Sequence, residues 1–325
     1  MRPTTRWLLH AGVLAAGVFP ATVMAQGAAV KSLRVIVSFP AGGGADILMR
    51  IVAPAVSERI GQNLVIENRP GASGLIGAQS AVTAAPDCQT VTLATSSNFS
   101  VIPSMMAKPP YDPLKDFSPI AMIATAPLML AVHPSLPARS VKELVALAKA
   151  KPRELLFASN GAGSISHLAT ELFQDAAGIE MTHVPYKGGT PAATDTLAGH
   201  VSLIITAIPT LSVHVQARRL RGLGVTGASR SKLFPELPAI AESGLPGYSA
   251  IQWYGLLAPK GVSQECVAGL NRHFSAALGT ADVSDRFLKG GSEPAPMTTA
   301  DFAAFIRADV EKWSRVIKSK NIKLN

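Results

Sequence analysis

Residues 39–46 read FPAGGGAD and fall where the apolar run at residues 34–38 must give way to a helix starting near Ala45. Three consecutive glycines there bring backbone amides to a helix N-terminus with no side chains to cover them. Unpaired amides and the positive end of the helix dipole together favour an anion. A second stretch repeats the arrangement: residues 155–159 read as a strand, 160–164 (NGAGS) as a glycine loop and 166–177 as a helix. Two such cradles in one chain imply two lobes facing one anion.

Around the cradles stand the side chains that could complete a site. Gly42 and Gly43, flanked by Phe39 and Ala41, permit close approach of a ligand to the backbone. Asp46 either caps the first helix or orders the pocket beside it. Gly163 occupies the second loop, and Ser164 and Ser166 either cap its helix or offer hydroxyls to carboxylate oxygens. Thr95, Ser96, Ser97 and Asn98 form a cluster of hydroxyls and amides at the end of a third strand, or a polar turn. Tyr186 and Trp253 are either core aromatics or cleft walls that combine apolar contact with one hydrogen bond.

The elements that must position these groups recur in the same order. Strands at residues 34–39, 64–67 and 90–95 alternate with helices at 45–60 and 75–84; strands at 155–159, 181–184 and 201–206 alternate with helices at 166–177 and 191–197. Short apolar strands alternating with helices predict parallel sheets of right-handed βαβ units, with ligands beyond the C-terminal strand ends. Ser140 and Glu143 form a capping box for a helix that Pro152 ends. Phe302, Phe305, Ile306, Trp313, Val316 and Ile317 follow helical spacing and make one apolar face.

Arg2 and Arg6, the apolar residues 7–19 and the A-x-A-like residues 23–25 read as a secretory signal peptide over residues 1–25. The chain beyond this leader exceeds the usual size of one hydrophobic core, so two lobes are expected. The formal charge of +9 loses two with the leader. The remaining cations are scattered, without the basic stripe and interleaved aromatics of a nucleic-acid surface, and suit an anionic small molecule. Cys88 and Cys266 either pair or remain as two buried thiols, and neither has a metal-ligand neighbour, so no metal is expected. G-x-S-x-G fails at Leu75, G-x-G-x-x-G fails at Ile47, and neither H-E-x-x-H nor a P-loop occurs. No nucleophile, base and orienter stand together, so no catalytic residue, cofactor or enzyme activity is expected.

Seven stretches in order resemble the Bug family of periplasmic solute receptors, also called TctC, that serve tripartite tricarboxylate transporters. They are FPAGGGAD, VIENRPGASGLIGA at 65–78, YDPLKDFSPIAMIA at 111–124, residues 133–152, HVPYKGG at 183–189, LPGYSAIQWYGLLAP at 245–259, and the tail at 302–318. The resemblance implies an α/β fold, a type II periplasmic binding protein with two Rossmann-like lobes and a ligand cleft between them. Lobe one would comprise residues 26–130 and 252–325 and lobe two 131–251, with crossovers near 129–133 and 251–257. It implies a monomer in the periplasm that captures a small organic carboxylate for large and small integral membrane subunits. A sensor for a membrane signalling protein, or an exported enzyme, is the alternative. The ligand set it implies is Phe39, Ala41, Gly42, Gly43, Asp46, Ser96, Asn98, Gly163, Ser164, Ser166, Tyr186, Thr206 and Trp253. Thr206 stands where many members carry Asp, which argues against a ligand bearing an ammonium.

Overall fold

The computed structural model describes residues 32–186 and 188–322; the leader expected at residues 1–25 lies outside them. Strand β1 (Ser32–Val37), helix α1 (Gly44–Ile60), β2 (Asn63–Asn68), α2 (Leu75–Val82) and β3 (Thr90–Thr95) alternate as the sequence predicts. A π-helical turn at Ser96–Val101 follows, and the chain then enters a 16-residue strand, β4 (Phe117–Val132). After α3 (Val141–Ala150) the order repeats in β5 (Leu156–Ser159), α4 (Ile165–Ala177), β6 (Thr182–Pro185), α5 (Gly189–Leu197) and β7 (Leu203–Ala207). Then come α6 (Ile208–Gln216), β8 (Arg221–Val225), β9 (Ile251–Pro259), α7 (Gln264–Leu278), α8 (Ala281–Lys289), β10 (Glu293–Pro294) and α9 (Thr299–Ser319).

The strands form one mixed sheet in the order β2–β1–β3–β9–β4–β7–β5–β6, with β8 and β10 also on β4. Parallel pairing holds where βαβ units were expected, between β1 and its neighbours β2 and β3 and between β5 and its neighbours β6 and β7. The centre departs from the all-parallel expectation. Residues 129–133 and 251–257, read as crossovers, fall largely in β4 and β9, and both strands run antiparallel to their partners. Strand β4 is long enough to change partners: Phe117 to Pro127 pair with β9, and Leu128 to Val132 pair with β7 and β8. The two repeats therefore join through a shared strand.

Burial explains why β1 is a continuous apolar run rather than an alternating one: Val35, Ile36 and Val37 are all inaccessible, as in a strand covered on both faces. Helix α3 begins as its capping box predicts, with Ser140 Oγ accepting the Glu143 N–H at 3.2 Å. The return bond is shifted by one residue, since Glu143 Oε2 accepts from the Arg139 N–H at 2.8 Å.

Helix α9 uses its apolar face twice. Phe302 and Ile306 pack with Ile36 and Trp253, whereas Trp313, Val316 and Ile317 pack with Leu168 and Phe173 of α4. Each such side chain, fully buried, contributes about 1.5–3 kcal/mol. The seat for Phe302 is Gly255 of β9, where a methyl group would overlap the Phe302 ring. Cys88 and Cys266 form a disulfide, Cα atoms 6.2 Å apart, which ties the turn before β3 to the first turn of α7. That bridge settles the pairing that the spacing of the two cysteines left open, and it stabilises the fold by about 2–4 kcal/mol.

Candidate functional site

The first cradle is built on Asp46, which is buried in the first turn of α1. Its Oδ2 accepts from the Gly42 N–H at 2.9 Å and from Arg50 Nε at 2.8 Å, and its Oδ1 accepts from Asn68 Nδ2 at 3.0 Å. The same Asn68 amide reaches the Phe39 carbonyl at 3.0 Å. The Arg50 hydrogen bond, against the opposing effect of burial and with help from Gly42 and Asn68, holds the Asp46 carboxyl below its ordinary value. Asp46 thus orders the loop rather than capping the helix, whose N-cap is Gly43 with no side-chain bond.

The expectation of bare amides along the three glycines holds for Gly44 and fails for Gly42 and Gly43. Gly42 donates to Asp46, and Gly43 donates to the Pro40 carbonyl at 3.2 Å. The first helical bond runs from the Ile47 N–H to the Gly43 carbonyl. The amides of Gly44, Ala45 and Asp46 come before it and have no partner among the described residues. Ala41 and Gly42 are exposed and Phe39 is half-buried at the rim of this turn.

The second cradle repeats the device with different groups. The Gly163 N–H donates to His167 Nδ1 at 3.1 Å, the same four-residue reach as Gly42 to Asp46. Ser164 is the N-cap of α4; its Oγ accepts the His167 N–H at 3.2 Å and donates to the Gly161 carbonyl at 2.7 Å. Ser166 is buried and donates to the Ile205 carbonyl. Both hydroxyls expected to face a carboxylate are therefore spent inside the protein, and the first-turn amides of Ile165 and Ser166 are left without a partner among the described residues. Met105, from the turn after β3, lies against Gly163, where an added methyl would stand 2.8 Å from its Cε.

At the remaining strand ends the predicted residues divide. Asn98 is buried and committed: Oδ1 accepts from the Thr95 N–H and Oγ1, both at 2.9 Å, Nδ2 reaches the Gly74 carbonyl at 3.4 Å, and its own carbonyl accepts from the Tyr111 hydroxyl. Ser96 is buried with no partner for its Oγ. Thr206 donates to Asn160 Oδ1 at 2.9 Å, which places the Asn160 amide in the second loop, a residue whose sequence context marks it only as loop. The Tyr186 hydroxyl donates to Asp195 Oδ2 at 2.7 Å, and burial with that carboxylate pushes it up to about 12.

Trp253 stands apart from this group. It is fully buried, meets Phe302 and Phe305 edge-on at 5.9 and 6.0 Å, and donates its Nε1–H to Asp309 at 2.7 Å. Its neighbour Tyr254 points the other way, because strand side chains alternate. A methyl at Gly44 would stand 3.4 Å from the Tyr254 hydroxyl, so this phenol borders the open amides of α1, and burial pushes it up to about 12. The sequence offers Trp253 as a candidate cleft wall; the structure puts Tyr254 beside the cradle instead.

A groove of about 740 Å³ between α5 and α6, lined by Thr190, His214 and Arg219 among others, shares no residue with either cradle.

A sheet of joined βαβ repeats, with glycine loops and helix N-termini beyond the C-terminal ends of β1 and β5, defines a periplasmic binding protein of the TctC type. The chain belongs to the tripartite tricarboxylate transporter family receptors, whose family model matches residues 48–322. It is 36% identical to BugT of Bordetella pertussis, over 98% of this chain and 99% of that one. The R. palustris protein Rpa4515, solved with adipate, shares 36% identity at a TM-score of 0.73 and covers 90% of this chain and 98% of its own. MatC of Rhodopseudomonas palustris, solved with malate, shares 27% identity at a TM-score of 0.70, over 89% of this chain and 99% of its own. Members of this family are periplasmic receptors, and no helix among the described residues is long and apolar enough to cross a membrane.

Proposed function

We propose that this chain captures a small organic carboxylate lacking an ammonium group and delivers it to the large and small membrane subunits of a tripartite tricarboxylate-type transporter. The observation that carries the reading is the pair of glycine loops whose helix N-termini keep their amides open: Gly44, Ala45 and Asp46 on one side, Ile165 and Ser166 on the other. Gly42, Gly43, Gly163, Tyr186 and Tyr254 would shape the walls around those amides, and Ser96, whose buried hydroxyl has no partner among the described residues, would be a further donor. Two lobes, residues 26–130 with 252–325 and residues 131–251, would close on the ligand about the handover in β4. The chain would act as a monomer, released into the periplasm by cleavage after Ala25.

The exclusion of zwitterions rests on the charges left to meet them. Asp46 already takes three donors, and Thr206 with Asn160 supplies no anion. Burying an ammonium without a carboxylate partner is unfavourable by several kcal/mol, enough to erase micromolar affinity. The carboxylates bound by Rpa4515 and MatC support the same ligand class. At 100 times its dissociation constant a ligand adds about 2.7 kcal/mol of stability, and each kcal/mol raises the melting temperature roughly 2–4 °C. A thermal-shift panel of adipate, malate, succinate, aspartate and glutamate should show shifts for simple acids and none for the amino acids. Shifts from aspartate or glutamate alone would refute the ligand class, and turnover of an acid without a shift would favour an enzyme.

A further inference from the structure

Behind the second cradle lies a histidine pair that direct ligand contact does not use, with His167 buried and His183 half-buried. His167 and His183 stack with ring centroids 3.9 Å apart and planes 8° from parallel, and Phe157 stacks on His183 at 4.8 Å. The pair holds the glycine loop at two points. His167 Nδ1 accepts the Gly163 N–H at 3.1 Å, while His183 Nε2 bonds Ser159 Oγ at 2.6 Å, and that hydroxyl in turn meets the Gly161 N–H at 3.2 Å. On its far side, His167 Nε2 faces Glu171 of α4 at 3.5 Å. Lys320, beyond the end of α9, stands 3.7 Å from Glu171 and 2.7 Å from Asp175.

These contacts fix the tautomer. An imidazole accepts at Nδ1 only when that nitrogen carries no proton, and the other nitrogen is then the donor, here towards Glu171. We propose that neutral His167 is a positioning residue that holds the Gly163 loop in its ligand-ready form, and that adding a proton to Nδ1 turns acceptor into donor, releases the loop and weakens carboxylate capture in acid. The charged and titratable groups around it are Glu171 on its own helix, His183 from β6, and Lys320 with its partner Asp175. Although burial pushes the Glu171 carboxyl up, its hydrogen bond to His167 and the charge of Lys320 hold it below its ordinary value. Burial and then the neighbouring imidazole bring His183 down to about 4, so this ring stays neutral between pH 7.5 and 5.5. The first cradle has no equivalent, because its clamp is the carboxylate of Asp46.

The inference rests on the receptor reading, and its test separates the two. Calorimetry with adipate and L-malate would compare the wild type, His167→Leu and His167→Asn at pH 7.5 and 5.5, with melts to confirm folding. Asn carries a side-chain acceptor near the place of Nδ1 but does not titrate. Loss of the acceptor in His167→Leu should weaken binding about tenfold, and His167→Asn should recover most of that loss. Acid should weaken the wild type more than His167→Asn, since protonation of the acid itself affects both alike. Equal pH dependence in wild type and His167→Asn, or unchanged affinity in His167→Leu, overturns the proposal. In parallel, ¹⁵N spectra of the ligand-free protein should show the Gly163 amide shifting with His167 titration and holding still in His167→Asn. Should neither acid bind the wild type, these acids are excluded as ligands, and an indifferent Gly163 amide would still overturn the clamp.

Discussion

In the first cradle the Gly42 amide is held 2.9 Å from a carboxylate oxygen of Asp46; in the second the Gly163 amide is held 3.1 Å from an imidazole nitrogen of His167. Both clamps reach from the loop to the first turn of the following helix, four residues on. The difference lies in what backs them. Asp46 is braced by Arg50, whose side chain is 54% exposed, and by Asn68. His167 is braced from within, by a stacked histidine and a glutamate whose side chain is 12% exposed. One geometric task, fixing a glycine loop before a helix, is thus solved once with a carboxylate and once with an imidazole.

The largest effect should come from Asp46→Ala. It removes the acceptor for three donors, one of them charged, and should cost about 3 kcal/mol. Urea melts measure the loss directly, and a cost under 1 kcal/mol would mean the first loop is held by something else.

Next in size is the contrast between alanine at Gly163 and at Gly42. Both glycines have positive φ, +74° and +79°, so either substitution strains the backbone by about 1–2 kcal/mol. Only Gly163 also has a neighbour in the way, Met105, while the space beside Gly42 is open. Gly163→Ala should therefore be the more destabilising of the two in parallel melts; equal costs would show that Met105 yields freely.

A smaller, pH-dependent contrast comes from the titrating groups. The folded Asp46 carboxyl lies below 3.8, so its contribution is complete above that value and is lost only as pH falls through the lower folded value. The folded His183 imidazole is lowered from 6.5 to about 4, so the contribution of its neutral form is complete above 6.5 and is lost as pH falls towards 4. Stability should decline between pH 6.5 and 4 because of the second cradle, and further below that because of the first. His183→Phe should flatten the upper limb and leave the lower one; an unchanged upper limb would remove His183 from the account.

Much of this was legible in the sequence because it depends on local pattern. The repeats, the glycine loops, the α3 cap and the apolar face of α9 follow from spacing within a few residues. The centre of the sheet was not legible: β9 pairs with residues 117–127 of β4, and no local pattern in residues 117–132 or 251–259 reveals their partners. The same limit governs the site. Ser164, Ser166 and Asn98 have the right chemistry at the right strand ends, yet their side-chain donors go to the carbonyls of Gly161, Ile205 and Gly74. Tyr254 is missed in the sequence because residues 251–257 read as a crossover, and only their place in a strand sets Trp253 and Tyr254 on opposite faces. A bulky residue at Gly163, which the sequence alone recommends as a probe of ligand approach, would disturb folding through Met105 and is no clean test.

The central claim is that one carboxylate ligand engages the helix N-termini of both cradles. Backbone ¹H–¹⁵N spectra recorded during titration with whichever simple acid raises the melting temperature test it most directly. The account predicts that the amides of Gly44, Ala45, Asp46, Ile165 and Ser166 shift together, with one shared dissociation constant. Shifts confined to one cradle, or saturating at different concentrations in the two, would contradict it.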